Sequence, residues 1–179
     1  MKTRCYLIVA LLLVVSVTNV MQAEELFAAR CVLPLINRAY SWRVTDERNG
    51  LAVEYYNAKG EKFTSLVVGD DAEQLQEQIA AVRLTQADVE FLESQPVTRL
   101  EGGKEVKVLR PFDGVIYEFS IYNVVIAGDL RIANPMHDVK IANPAFDLEY
   151  HPELKESERL KDVLTLLTAI EQQAKHTKK

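Results

Sequence analysis

Three histidines limit what this chain can do by acid–base or metal chemistry: His137, His151 and His176. Around the second runs Glu149-Tyr150-His151-Pro152-Glu153. Side chains repeat every two residues in an extended segment, so Glu149, His151 and Glu153 would share one side there. With His137 they would offer a mixed nitrogen and oxygen set to a metal. That set is the basis for reading a small metal-assisted hydrolase of the cell envelope. Against it, the spacing matches none of the specific zinc signatures. Pro152 stands just before a helical pattern, which makes His151 a boundary residue at the surface.

Nucleophilic chemistry has less to build on. No Gly-x-Ser-x-Gly elbow occurs. Cys31 sits in LFAARCVLPLI among apolar neighbours, which suits a buried, inert thiol rather than an activated one. Paired carboxylates such as Asp70-Asp71 follow a glycine at a helix start, where capping accounts for them. The seven glycines form no phosphate-cradling loop, and no cofactor is implied.

A nine-residue phrase recurs instead: RIANPMHDV at 131–139, then KIANPAFDL at 140–148. Each copy places Asn-Pro between apolar pieces. Asn accepts turn geometry, Pro presets φ and cannot donate to a strand ladder, and the Asp three residues on can cap turn amides. The expectation is one turn used twice, linking strands near 129–133, 139–142 and 147–150. Asn134, Asp138, Asn143 and Asp147 are then candidates for a partner-binding edge, or for oxygen ligands of a hard cation such as calcium.

The elements that must position these residues read as follows. Residues 1–23 carry a basic start (Lys2, Arg4), an apolar run of about 13 residues from Cys5 to Val17, and a small residue, Ala23, before Glu24-Glu25. That is the order of a secretory signal peptide, cut after Ala23. The run is shorter than the roughly 18 residues that span a bilayer, so no stable membrane anchor is expected after cleavage. Removing it takes away Lys2 and Arg4 and no acids, moving the net charge from −5 to −7. An acidic exported protein is a poor partner for nucleic acid and for anionic membrane surfaces. Cys5 goes with the leader, leaving Cys31 to be buried or to bridge a homodimer.

From Glu24 to Tyr40 the expectation is a helical turn or two and an irregular lead-in, because Pro34 interrupts a helix. Alternation over 40–44, 51–55 and 63–68, with Asn49-Gly50 between the first two runs, predicts an antiparallel meander. Helical spacing predicts a helix from Ala72 to Val82. A second begins at Thr85, with Asp88 as its capping-box partner. Alternation resumes from Lys104 through Ile121, then slips near Asn123, which suggests a bulge. A long amphipathic helix from Pro152 closes the chain. Strands, then helices, then strands, then a helix argue an α+β fold in residues 24–179: an antiparallel sheet packed by two middle helices and a C-terminal one.

The pairs Tyr55-Tyr56 and Tyr117/Tyr122 put aromatic side chains on alternating faces, so one of each should face outward as a contact element. Export, acidity and the lack of a catalytic motif point to a periplasmic or extracellular protein that binds another protein. An envelope accessory factor and an inhibitor or immunity protein both fit. The alternatives are the metal-assisted hydrolase and a carrier holding an apolar ligand between sheet and final helix.

Overall fold

The computed structural model describes residues 24–111, 114–127 and 130–176, with the backbone alone for 121–127 and 130–137. The signal peptide, its cleavage site and the expected turn at Gly128-Asp129 lie outside the described residues.

Strand β1 (Glu24–Leu33) opens the fold, followed by a 3-10 turn over Pro34–Ile36. Then come β2 (Arg38–Glu47), β3 (Gly50–Tyr56) and β4 (Lys62–Val67). Helices α1 (Asp70–Ala81) and α2 (Gln86–Ser94) lead to a small hairpin, β5 (Thr98–Glu101) and β6 (Lys104–Lys107). Long strands β7 (Ile116–Ala127) and β8 (Leu130–Ala142), then α3 (Pro144–Tyr150) and α4 (Lys155–Lys175), complete the chain. The architecture is α+β: a six-stranded antiparallel sheet in the order β4-β3-β2-β1-β7-β8, with helices packed on it.

The first correction concerns residues 24–33, which form the strand joining the two halves of the sheet rather than helical turns. A register shift between Glu25 and Phe27 turns both Leu26 and Phe27 inward, and both are buried. The bulge hides the period of two at the start. Beyond it Phe27, Ala29 and Cys31 face the core, while Ala28, Arg30 and Val32 face the other way.

The expected meander is present. The two-residue turn Arg48-Asn49 joins β2 to β3, and Glu47 pairs with Gly50. Gly50 has φ +146°, and a Cβ there would meet Val67 O at 2.3 Å, so this turn needs glycine. Helix α2 begins with the expected capping box: Asp88 N donates to Thr85 Oγ1, and Thr85 N donates to Asp88 Oδ2 at 2.8 Å. Arg159 of α4 donates to the other oxygen of Asp88, tying the two helices together.

Helix α4 crosses β2, β3 and β4, and α2 lies against β8. The stripe Leu160, Val163, Leu166, Leu167, Ile170 and Ala174 is buried in one core cluster with Phe27, Val44 and Val53. At about 25 cal/mol per Å² of apolar surface, that layer supplies the main drive for folding. Leu166 is buried in the stripe, while Leu164 is only partly buried. The helix starts at Lys155 rather than at Pro152, with Leu154 at its N-cap.

The repeated phrase is the second correction. Its first copy makes no turn. It runs along β8, where the register against β7 shifts between Ile121 and Tyr122: His137 opposes Ile121, but Pro135 opposes Tyr122. The expected bulge is therefore here, two residues before Asn123. Pro135 costs the sheet little, because β8 is an edge strand and the proline stands at its bulge. The second copy ends β8 and starts α3. Asn143 adopts φ +53° and Pro144 takes the first helical turn, so residues 147–150 are helix rather than strand.

Candidate protein-contact surface

The helices cover one face of the sheet. On the other face the register builds a checkerboard. Ala28 lies between Arg43 of β2 and Ser120 of β7. Arg30 lies between Ser41 of β2 and Glu118 of β7. Glu54 and Tyr56 continue these rows on β3, Thr64 and Lys62 on β4, and Asp138 and Lys140 on β8. The short side chains Ala28, Ser41 and Ser120 sit at the centre, with Arg30, Arg43, Glu54, Tyr56 and Glu118 around them. The result is a shallow depression of about 420 Å³.

Most charges on this face are already paired. Arg43 Nε donates to Glu25 at 2.6 Å, Lys62 to Glu54 at 2.5 Å and Lys140 to Glu118 at 3.1 Å. The bond to Glu54 pushes the Lys62 ammonium above its usual range. Ser120 Oγ donates to Asp138 at 2.8 Å. Arg30 is the exception: it is exposed, and it makes no ion pair or hydrogen bond with another described residue. Glu118, directly opposite, is held by Lys140 instead.

Tyr55 and Tyr56 divide as alternation requires. Tyr56 lies on the open face beneath the Lys62 ammonium, 5.5 Å from its ring centre. Tyr55 is buried in a row of rings with Trp42 at 5.7 Å and Phe63 at 5.8 Å. Burial first, and the nearby Glu171 carboxylate second, push the Tyr55 phenol up to about 12. Tyr117 also faces the core, beside Cys31, and burial raises its phenol as well. Tyr122's side chain lies outside the described residues.

The other candidates are scattered. Asp138 joins the open face. Asp147 does not: it is fully buried, and it meets Arg110 through both carboxylate oxygens, one at 2.8 Å. That is a further correction, since Asp147 caps no turn. Asn143 faces the 110–115 segment, accepting no cap but donating through Nδ2 to Pro111 O and through N to Val115 O. Asn134 and His137 are placed by backbone only, opposite Asn123 and Ile121.

The expected one-sided row of Glu149, His151 and Glu153 does not form, because Glu149 lies on helix α3 and His151 ends it. Glu149 and Glu153 are exposed, while His151 Nε2 is buried without a hydrogen-bond partner. Among the described residues no three His, Cys, Asp or Glu side chains come together as a metal site. Cys31 is 2% exposed, and burial raises its thiol above the usual range.

Sequence reasoning missed Arg30 because it missed β1. The alternation Phe27-Ala28-Ala29-Arg30-Cys31-Val32 carried the signal. No helix among the described residues is long and apolar enough to cross a membrane. No protein-family model, no curated protein and no solved structure matches this chain.

Proposed function

We propose that this protein acts outside the cytoplasm, in the periplasm or extracellular space, as a non-enzymatic binding protein that works by contact with another protein. The observation that carries the reading is the uncovered sheet face with its depression around Ala28. Interface cores are depleted in lysine, glutamate and aspartate and enriched in tyrosine and arginine, with charged and polar groups at the rim. This face has its charges paired, offers Tyr56, and keeps one uncommitted cation, Arg30. The chain as a whole is acidic, at −5. The described side chains of the face carry both signs, with Arg30, Arg43, Lys62 and Lys140 among Glu25, Glu54, Glu118 and Asp138. It suits a partner that inserts a small convex element carrying a carboxylate for Arg30. An envelope accessory factor and an inhibitor or immunity protein both use such a contact.

The two alternatives have less support. The hydrolase needs Glu149, His151 and Glu153 on one side of an extended segment, and Glu149 is on a helix. The carrier needs room between sheet and α4, where Val44, Val53, Val163 and Ile170 pack together.

The test is a native mass spectrum of the protein isolated from its host's envelope, for the wild type and for Ala28→Trp and Arg30→Glu. The expected result is a stoichiometric protein adduct on the wild type that both substitutions remove, with circular dichroism unchanged. An adduct that survives both places the contact elsewhere. A bare monomer with a metal-sized increment overturns the reading in favour of metal chemistry at His137 and His151.

A further inference from the structure

The two edges of the sheet are treated differently. On β8 the edge is interrupted by Pro135 and a bulge, and Lys140 N is taken by Gln86 Oε1 of α2 at 3.0 Å. On the opposite side, β4 ends the sheet with no neighbouring strand among the described residues. Its register against β3 runs unbroken from Leu51–Val67 to Tyr56–Lys62. It holds no proline and no bulge. Its only charge, Lys62, lies at its start and is held by Glu54. Natural proteins usually blunt such an edge, since a row of free N–H and C=O groups invites another strand.

What lies along β4 also invites one. Leu66 is 52% exposed and the following Val68 48%. Thr64, Ser65, Leu66, Val67 and Val68 line a groove of about 760 Å³ that Gln173 and His176 at the end of α4 bound on the other side.

The charges select the occupant. The start of β4 is mixed with one net positive charge, Lys59 and Lys62 against Glu61, and just past its end come Asp70, Asp71 and Glu73 in the first turn of α1. A second copy laid parallel would set like charges together. An antiparallel copy sets each net-positive start beside the other's acidic end.

We propose that β4 pairs antiparallel with β4 of a second copy of this chain, joining two six-stranded sheets into one. A two-fold axis at Leu66 sets Leu66 against its own counterpart and Thr64 against Val68 of the second copy. Lys62 then approaches Asp70 of the second copy. The groove beside β4 is closed only when that copy is present. The two open faces run on into each other, so the dimer offers two copies of the Arg30 surface. The pairing does not depend on what binds that surface, and it does not use Cys31.

Sedimentation velocity over a concentration series tests the proposal on the protein recovered after export. The expected result is a monomer–dimer equilibrium. In Leu66→Lys the dissociation constant rises by about tenfold or more, because two ammonium groups oppose each other at the axis. Circular dichroism is unchanged. In a Cys31→Ser background, Leu66→Cys cross-links copies under mild oxidation and Thr64→Cys does not, since only residue 66 meets itself. A wild type that stays monomeric throughout overturns the proposal. So does a dimer that is indifferent to Leu66→Lys and forms no bridge through position 66.

Discussion

Asp147 is fully buried and meets Arg110 through both carboxylate oxygens, while Arg110 also lies 5.0 Å from the centre of the Phe146 ring and donates to Leu92 O. The bond to Asp147 raises the guanidinium above its already high range. Removing one partner of such a pair leaves the other desolvated. Asp147→Ala should cost about 3 kcal/mol of unfolding free energy, read as a lower urea midpoint at unchanged slope. Replacing both, Arg110→Met with Asp147→Leu, should cost clearly less than Asp147→Ala alone. A double variant as unstable as the single one would mean that the site matters for its packing and not for its charges. The capping box of Thr85 and Asp88 was legible in the sequence because its partners are three residues apart. The Arg110–Asp147 pair spans 37 residues and only the fold makes it. Asp138 stands at the same place in the repeated phrase and lies exposed on the open sheet face, so the phrase alone could not tell the two apart.

The phrase Ile-Ala-Asn-Pro is one sequence in two elements, and strand context decides between them. In β8 its proline stands at a bulge on an edge. After β8 its asparagine takes a left-handed conformation, opens α3 and clamps the segment before β7. Gly114 is the counterpart of that clamp: a Cβ there would fall 1.1 Å from Asn143 Oδ1. Gly114→Ala must therefore expel the Asn143 side chain and break its bond to Pro111 O. The expected cost is about 1–3 kcal/mol, by analogy with overpacked cores. Asn143→Gly keeps the left-handed backbone and empties the space. In that background Gly114→Ala should be nearly free, giving a coupling of about 1 kcal/mol or more in a double-mutant cycle. Additive costs would show that Gly114 is required for its backbone alone. At this scale the amphipathic helices and the β2–β4 meander were readable from periodicity. Strand β1 was not, because its bulge puts Leu26 and Phe27 inward together and Pro34 follows. The third element of the phrase became a helix because its proline fell at a first turn.

At the scale of the whole molecule, β1 is what makes the sheet continuous. It pairs with β2 from Glu24 to Leu33 and with β7 from Phe27 to Val32. The rest of the sheet divides into β2–β4 on one side and β7–β8 on the other. No local pattern announces that order, since β3, β4, two helices and the β5–β6 hairpin lie in the chain between the two strands that β1 joins. Such non-local pairing also makes folding slow to begin. The topology constrains where the proposed leader can be cut. A cut after Ala23 leaves Glu24, the first paired residue of β1 among the described residues, at the new terminus. A cut four residues later removes Leu26 and Phe27, both fully buried, and the bulge that seats them. Losing buried leucine and phenylalanine side chains costs about 2–5 kcal/mol each, a large part of the stability of a typical domain. N-terminal sequencing of the exported protein should therefore begin at Glu24. A chain started at Glu24 should show a cooperative urea transition, and one started at Ala28 should bind a hydrophobic dye and lose its near-ultraviolet dichroism. If the Ala28 chain folds as well as the longer one, β1 is held by β2 and β7 beyond the bulge alone, and the position of the cut is free of the fold.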